Sequence, residues 1–299
     1  MNGRYAPSPT SALHLGNLRT ALVAWLFARS SGRGFKLRVE DLDQDRVKAA
    51  PDVAAKQIAD LASLGITFDG EPMWQSDRLD IYAATADKLA DRLYECYCTR
   101  REIAESASAP HADGYRPYPG TCRDLTESER AERRRQRPPA WRIRAAGASW
   151  TIHDFWAGAV TGEVDDFVVR RNDGTWAYNF AVVVDDIAQG VDQVVRGADL
   201  LSSAPRQAWL TALLGGTTPE YAHVPLVLGA DGERLAKRDG AITLDDFAAQ
   251  GHDAPWVLSL LGHSLGLNAA DEQVPATELL RRFDPSSLRF AQPKVASGA

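Results

Sequence analysis

The chain lacks any apolar run long enough to cross a membrane, and its start, Met-Asn-Gly-Arg-Tyr, lacks the apolar core of a secretion signal. Those two absences set the expectation of a cytoplasmic protein. Cysteine is scarce. There are 3 in 299 residues, and two of them are one residue apart. That excludes a disulfide scaffold and leaves metal binding or free thiols. Positive charge is not in excess either. The net charge of −6 excludes a protein that coats nucleic acid by bulk charge, though a local basic face remains compatible. No internal repeat and no low-complexity tract is present. The rest is ordinary globular composition, 44% apolar and 25% charged, in a chain long enough for two or three domains.

The most informative stretch is Arg4-Tyr-Ala-Pro-Ser-Pro-Thr-Ser-Ala-Leu-His-Leu-Gly-Asn17. A short extended piece, Gly3 to Ala6, must break at Pro7 and Pro9, because proline cannot sit inside a central strand. An apolar helical pattern then runs from Leu13 to about Arg29. Strand, turn and helix follow one another, and the turn delivers His14, Gly16 and Asn17 to the first helical turn. Free N–H groups and the helix dipole favour an anion there. Gly16 lets a flat base or a phosphate approach the backbone, and His14 and Asn17 can both donate to phosphate. The chemistry implied is nucleotide binding at the carboxyl end of a parallel sheet.

Further along, Phe35 to Val39 reads as a strand with Lys36 and Arg38 on its polar face, ending at Glu40 and Asp41. Helices are expected from Pro51 to Leu64 and from Asp77 to Glu95. Cys96-Tyr-Cys98 and Cys122 can fill three positions of a tetrahedral zinc site, although Cys-x-Cys is a tighter spacing than usual. By chemistry alone the fourth ligand stays open, with His111 the ordinary candidate beside Tyr115 and Tyr118. Thr126-Glu-Ser-Glu129 is a capping box. The stretch from Arg130 to Arg144 carries 7 arginines. It reads first as a solvated helix face paired to Glu127, Glu129 and Glu132, and secondly as a phosphate-contacting face for RNA.

From Ala140 to Gly197 a mostly β pattern is expected. Strands fall at Trp150 to Phe155, Ala159 to Val164 and Phe167 to Arg171, with a turn at Asn172-Asp-Gly174. A buried apolar strand or segment follows at Trp176 to Val184, ended by Asp185-Asp186, and then a strand from Val191 to Gly197. A helix capped by Ser202 or Ser203 runs to about Leu214. His223 to Leu228 reads as a strand. Helices at Thr243 to Gln250, Ala254 to Gly266 and Thr277 to Phe283 close the chain, with a disordered end from Pro293.

A second distant motif, Glu233-Arg-Leu-Ala-Lys-Arg-Asp-Gly240, reads as a mobile loop. Together, His14-Leu-Gly-Asn17 and Arg234-Leu-Ala-Lys-Arg238 resemble the two nucleotide motifs, HIGH and KMSKS, of class I aminoacyl-tRNA synthetases. Arg4-Tyr-Ala-Pro-Ser8 and Val39-Glu-Asp-Leu-Asp43 resemble the glutamyl branch. The resemblance covers about residues 3 to 267. It departs at Arg234, which keeps the charge of the usual lysine, and at Ala236, which loses a hydroxyl contact.

The resemblance implies an α/β fold: a Rossmann-type parallel sheet with an inserted zinc-bearing subdomain and a small C-terminal helical domain. The halves of the catalytic domain would be residues 1–95 and 176–240, the insert 96–175 and the helical domain 241–299. It assigns ATP, with Mg²⁺, to Pro7, His14, Gly16, Asn17, Arg234, Leu235, Ala236, Lys237 and Arg238, with His14 and Lys237 catalytic. It assigns L-glutamate to Arg4, Tyr5, Ala6, Pro7, Ser8, Glu40, Tyr178 and Arg196. Read without it, Tyr178 is a core tyrosine and Arg196 a partner of Asp199.

The run Cys-x-Cys … Tyr-x-x-x-Cys is similar to that of glutamyl-Q tRNA(Asp) synthetases. It therefore implies structural zinc on Cys96, Cys98, Tyr118 and Cys122. The chain runs only about 60 residues past Lys237, less than an anticodon-binding region needs. That truncation also points to the glutamyl-Q group. Its members activate glutamate and attach it to queuosine in the anticodon of tRNA(Asp). The partner expected is the tRNA(Asp) anticodon stem-loop, and the expected state is a monomer.

Overall fold

The structure, a computed structural model, describes residues 1–99, 101–103, 117–227 and 242–290. The motif at 234–238, His111, Tyr115 and the tail from Pro293 lie outside the described residues. The chain divides into two compact units. The first comprises Met1–Trp74, Val191–Ala198 and Ala222–Ala299; the second comprises Gln75–Gly190 and Asp199–Tyr221.

The strands are β1 (Asn2–Tyr5), β2 (Gly34–Val39), β3 (Met73–Trp74), β4 (Leu93–Cys96), β5 (Ala140–Ile143), β6 (Ser149–Asp154), β7 (Gly158–Glu163), β8 (Val168–Arg170), β9 (Val191–Gly197) and β10 (Glu220–Val224). Among the described residues, seven of them follow the order β3-β2-β1-β9-β10-β6-β7, and β4-β5-β8 form a second sheet. Strand β10 begins in the second unit and ends in the first.

In the first unit, β1 lies parallel to β2 on one side, with Arg4 opposite Lys36, and parallel to β9 on the other. The chain thus steps outward from β1 to β2 and β3, and later returns to β1's other side as β9. That reversal is a topological switch point, where open α/β sheets hold ligands beyond the carboxyl ends of their strands. The expected first helix spans Leu15–Ser30 and is buried from Leu18 to Ala28 with one half-buried exception, Thr20. Its apolar residues surround the axis instead of forming a stripe, as a helix packed within a core requires. Gly3 explains the contact with β1. A Cβ there would lie 2.8 Å from the Cβ of Ala28, so only glycine admits this approach.

Arg38 corrects the pattern reading of β2. It is fully buried. A strand in the middle of a parallel sheet is covered on both faces, so alternation does not mark a wet side. Helix Val53–Ser63 appears close to its expected place, and a short helix, Gln44–Lys48, was not foreseen. At the C-terminal side, helices Leu244–Ala249, Ala254–Ser264 and Ala276–Arg282 fall where the pattern put them.

In the second unit the long helix expected from Asp77 to Glu95 is not one element. A 3-10 turn (Gln75–Arg78) leads to helix Leu79–Asp87, a second 3-10 turn, and then β4. Tyr82 and Leu89 are buried, but Leu79 is 48% exposed. The buried strand or segment read at Trp176 to Val184 is largely buried, but as helix Tyr178–Ala188 and not as a strand. Its Val-Val-Val run favours a strand by propensity, yet one apolar face packs against helix Ala204–Leu213 and β8. The strands expected at Trp150 to Phe155 and Ala159 to Val164 are present as β6 and β7, which pair antiparallel in register from Ser149↔Glu163 to Asp154↔Gly158. Ser203 precedes helix Ala204–Leu213 but its side chain makes no cap bond.

Asp185, read as a strand terminator, lies inside the helix and is fully buried. Its oxygens accept from Gln75 Nε2 at 2.8 Å, Arg78 Nε at 2.7 Å and Tyr82 Oη at 2.8 Å. A buried carboxylate is stable only when paired and bonded in this way.

Candidate active site and candidate metal centre

The start of helix Leu15–Ser30 sets the protonation of His14. His14 is the N-cap: its Nδ1 accepts the Gly16 N–H at 3.2 Å, while Asn17 Oδ1 accepts the His14 N–H at 3.2 Å. An accepting Nδ1 carries no proton, so the neutral ring keeps its hydrogen on Nε2, as a donor. Burial lowers the His14 pKa below its ordinary value and favours this neutral form. Asn17 likewise spends its oxygen on the cap, which leaves its amide nitrogen as the donating end. Gly16 has a use that the sequence did not reveal. A Cβ on it would sit 3.1 Å from Cε1 and 3.2 Å from Nδ1 of His14, crowding the ring.

The turn between β1 and this helix is held from two sides. Glu40 N–H donates to Pro7 O at 2.9 Å, and Gln57 Nε2 donates to Ser8 O at 3.1 Å and Ser11 O at 2.7 Å. Pro7 is buried, Ala6 half-buried and Ser8 exposed. Tyr5 is buried and its hydroxyl donates to Asn17 O at 3.3 Å, with its pKa raised by burial. Arg4 and Arg196, 4% and 5% exposed, stand on adjacent strands β1 and β9. Arg4 Nη1 donates to Val195 O at 3.3 Å, and Arg196 Nε lies 3.0 Å from His223 Nε2. Glu40 follows β2, and Arg38 reaches its Oε1 at 3.4 Å. Arg4, Glu40, Arg196 and the Ala6 to Ser8 turn are therefore all at the carboxyl ends of the strands that flank the switch point. Tyr178 is in the second unit, where it opens its helix and is 38% exposed.

Both flanks of the second motif are tied to the first helix. Arg19 Nη2 donates to Pro225 O at 2.7 Å, and Leu15 N–H donates to Ile242 O at 2.9 Å. Burial lowers the Arg19 pKa to about 10, which still leaves a cation at neutral pH. Sequence reasoning missed Arg38, Gln57 and His223. Only the position of each on a central element, not its residue type, could have marked it.

The cysteine cluster is built within the second unit. Cys96 ends β4 and Cys98 follows it; Cys122 sits in a turn before the capped helix Glu127–Gln136. The three sulfurs lie within 4.8 Å of one another, with Cys98 and Cys122 at 3.6 Å. Tyr118 Oη lies 3.4 Å from Cys96 Sγ and 3.8 Å from Cys98 Sγ. Thiolates about 2.3 Å from a tetrahedral zinc are about 3.8 Å apart, so these separations match the edges of one coordination tetrahedron. Among the described residues this is the one such cysteine group.

The surroundings suit an anionic set. Tyr97 N–H and Arg133 Nη1 each donate to Cys122 Sγ at 3.5 Å, and Cys122 N–H donates to Tyr118 Oη at 2.8 Å. The Arg142 guanidinium stacks on the Tyr118 ring, 3.7 Å from its centroid. Hydrogen bonds from Cys122 and Cys98 hold the Cys96 thiol far below its ordinary pKa. Cys122 and Cys96 push Cys98 up, and burial together with the Cys96 sulfur pushes Tyr118 up. One anion is favoured and the next are opposed by like charge; a central divalent cation removes that opposition.

The arginine-rich stretch is mostly committed to the protein. Arg134 pairs with Glu95 and Glu127, Arg135 with Glu132 and Arg144 with Asp124, while Arg130 binds Leu125 O. Arg142 is buried and donates to Asp166 O at 2.7 Å. The reading as a paired helix face is the one this geometry favours. The capping box at Thr126 and Glu129 is formed as foreseen.

The switch point and the helix start together define an α/β protein of the nucleotide-binding type. Comparison with known proteins narrows this. The family model described as "tRNA synthetases class I (E and Q), catalytic domain" matches residues 1–287. A glutamyl-Q tRNA(Asp) synthetase of Nocardia farcinica is 57% identical, over 96% of this chain and 90% of its own. Another, of Cutibacterium acnes, is 56% identical over 89% and 76%. The crystal structure of a glutamate tRNA ligase from Elizabethkingia meningosepticum in complex with its amino acid superposes with a TM-score of 0.81 at 26% identity. It matches 98% of this chain, which spans only 66% of that ligase. The chain belongs to the class I tRNA synthetase family, in its E and Q branch. Among the described residues, no helix is long and apolar enough to cross a membrane.

Proposed function

We propose that this chain activates L-glutamate with ATP, without needing tRNA, and transfers the glutamyl group to the queuosine base in the anticodon of tRNA(Asp). The observation that carries the reading is the 57% identity, over nearly the whole of both chains, to a protein named for that activity. The gathering of Arg4, Glu40 and Arg196 at the switch point supports it. In the first step the substrate α-carboxylate attacks the α-phosphate of ATP and pyrophosphate leaves. Such chemistry needs positioning and charge neutralisation more than a side-chain base.

His14, a neutral Nε2 donor, and Lys237 are assigned to the phosphates, with Pro7, Gly16, Asn17, Arg234, Leu235, Ala236 and Arg238 lining the nucleotide. Mg²⁺ accompanies ATP and offsets phosphate charge. Arg4 and Arg196 are assigned to the side-chain carboxylate, since paired guanidinium donors suit its geometry. Glu40 takes the ammonium group, and Tyr5, Ala6, Pro7, Ser8 and Tyr178 complete the amino-acid contacts. Cys96, Cys98, Tyr118 and Cys122 are assigned to structural zinc, because four protein ligands leave no open position. The domain reading of 1–95 and 176–240 around an insert at 96–175, followed by 241–299, goes with this proposal, as does a monomer.

Two measurements test it. Purified protein should exchange pyrophosphate into ATP with glutamate alone, and glutamine should be a poor substrate because an amide leaves a buried cation unmatched. With labelled glutamate and tRNA(Asp) carrying queuosine, the label should appear on the anticodon fragment after nuclease digestion. Label on the 3′-terminal adenosine instead would make the chain a shortened charging enzyme.

A further inference from the structure

The proposed glutamate contacts include Arg196, and one neighbour of that residue has no assigned role. His223, in β10, is 4% exposed, and its Nε2 lies 3.0 Å from Arg196 Nε on the neighbouring strand β9. We infer that His223 is a positioning residue for Arg196, fixing the guanidinium so that it receives the substrate's side-chain carboxylate.

The chemistry of the pair fixes its direction. Arginine stays protonated and Nε can only donate, so His223 Nε2 accepts and carries no hydrogen. The imidazole is therefore neutral, with its proton on Nδ1. A guanidinium can present two bidentate edges to a carboxylate, Nε with one Nη, or Nη1 with Nη2. A bond from Nε to His223 occupies the first. Bidentate recognition of a carboxylate is thereby directed to the Nη1/Nη2 edge. The choice of histidine matters as well. An aspartate or glutamate in its place would hold Nε equally well but would cancel the positive charge. A neutral imidazole orients the cation without neutralising it, which suits a residue meant for an anionic ligand. Both residues lie on strands, so the pair is set by sheet geometry and not by a loop.

The inference rests on the glutamate-activating reading, and the test separates the two. Glutamate-dependent ATP–pyrophosphate exchange is measured for wild type, Arg196→Ala, His223→Leu, His223→Gln and His223→Asn. Glutamine side-chain oxygen can reach the position of Nε2, whereas asparagine is too short. The expected result is a KM for glutamate raised about tenfold or more in His223→Leu and His223→Asn, the scale of a lost hydrogen bond to a charged group. His223→Gln should stay near wild type, and the KM for ATP should not move in any of the three. A merely structural histidine would shift both KM values together and would not be rescued by glutamine. If His223→Leu fails to fold, the contrast between glutamine and asparagine decides alone. A glutamate KM raised in Arg196→Ala but unchanged in the His223 variants overturns the inference and leaves the glutamate reading standing. Absence of exchange in the wild-type protein overturns both.

Discussion

The sheet switch point and the cysteine cluster assemble their residues in opposite ways. The cluster draws Cys96, Cys98, Tyr118 and Cys122 from 27 consecutive residues, around one strand end and one turn. The switch point draws Arg4, Glu40 and Arg196 from the ends of three strands, up to 192 positions apart. In the first case the spacing of the chain nearly dictates the geometry. In the second the topology of a parallel sheet does, and no local pattern announces it. Damage should differ accordingly. Loss of a cluster residue should act on metal and stability, and loss of a switch-point residue chiefly on substrate terms.

The largest expected effect is on the cluster. Cys122→Ser should take the purified protein from about one zinc per chain to none and lower its melting temperature, because structural zinc contributes folding free energy outright. Tyr118→Phe should weaken zinc retention in a competition with chelator, whereas His111→Ala should leave it unchanged. Zinc lost in His111→Ala but kept in Tyr118→Phe would reverse the fourth ligand. For the proposed phosphate contact of the second motif, Lys237→Ala should cut glutamate-dependent exchange by about 10² to 10³, the scale of one lost transition-state contact, with zinc and melting unchanged. Undiminished exchange in that variant removes Lys237 from the mechanism.

A further substitution probes a residue that belongs to neither site. Asp185→Ala removes the acceptor shared by Gln75, Arg78 and Tyr82. It should destabilise by about 3–5 kcal/mol in denaturant titration, since Arg78, whose side chain is only 13% exposed, keeps its charge without its partner and Gln75 and Tyr82 lose their acceptor. A change below about 1 kcal/mol, the range of exposed pairs, would mean that the network is replaceable.

These contrasts also mark what the sequence made legible. The strand–turn–helix at the N-terminus, the capping box at Thr126 and the strand carrying Arg196 could be read because each is a local signal. Arg38 and His223 could not. Each sits on a strand where pattern reading expects an outward polar residue or nothing in particular, and only burial reveals its partner. The helix Tyr178–Ala188 was misread because a valine run carries strand propensity, while tertiary packing decided otherwise. The arginines from 130 to 144 teach the same lesson from the other direction. Their number drew attention to RNA, yet their carboxylate and carbonyl partners within the protein account for most of them.

The smallest expected effect concerns His14, where the switch point does touch stability. Its Nδ1 accepts the Gly16 N–H, so protonation of that nitrogen breaks the cap. Burial already depresses the His14 pKa in the folded chain. The unfolded chain, with an ordinary histidine of pKa about 6.5, therefore takes up the proton first as pH falls. Where the unfolded state binds more protons, stability rises with pH. The contribution from His14 is thus fully present above the ordinary histidine value and is lost progressively as pH drops below it. Its slope cannot exceed that of one proton. The measurement is the difference in unfolding free energy between wild type and His14→Asn, followed from pH 8 to pH 5. Asparagine can still cap the helix but does not titrate, so the difference should shift in favour of the variant on the acid side. A difference that stays constant across that range would show that His14 does not hold its neutral form through the cap.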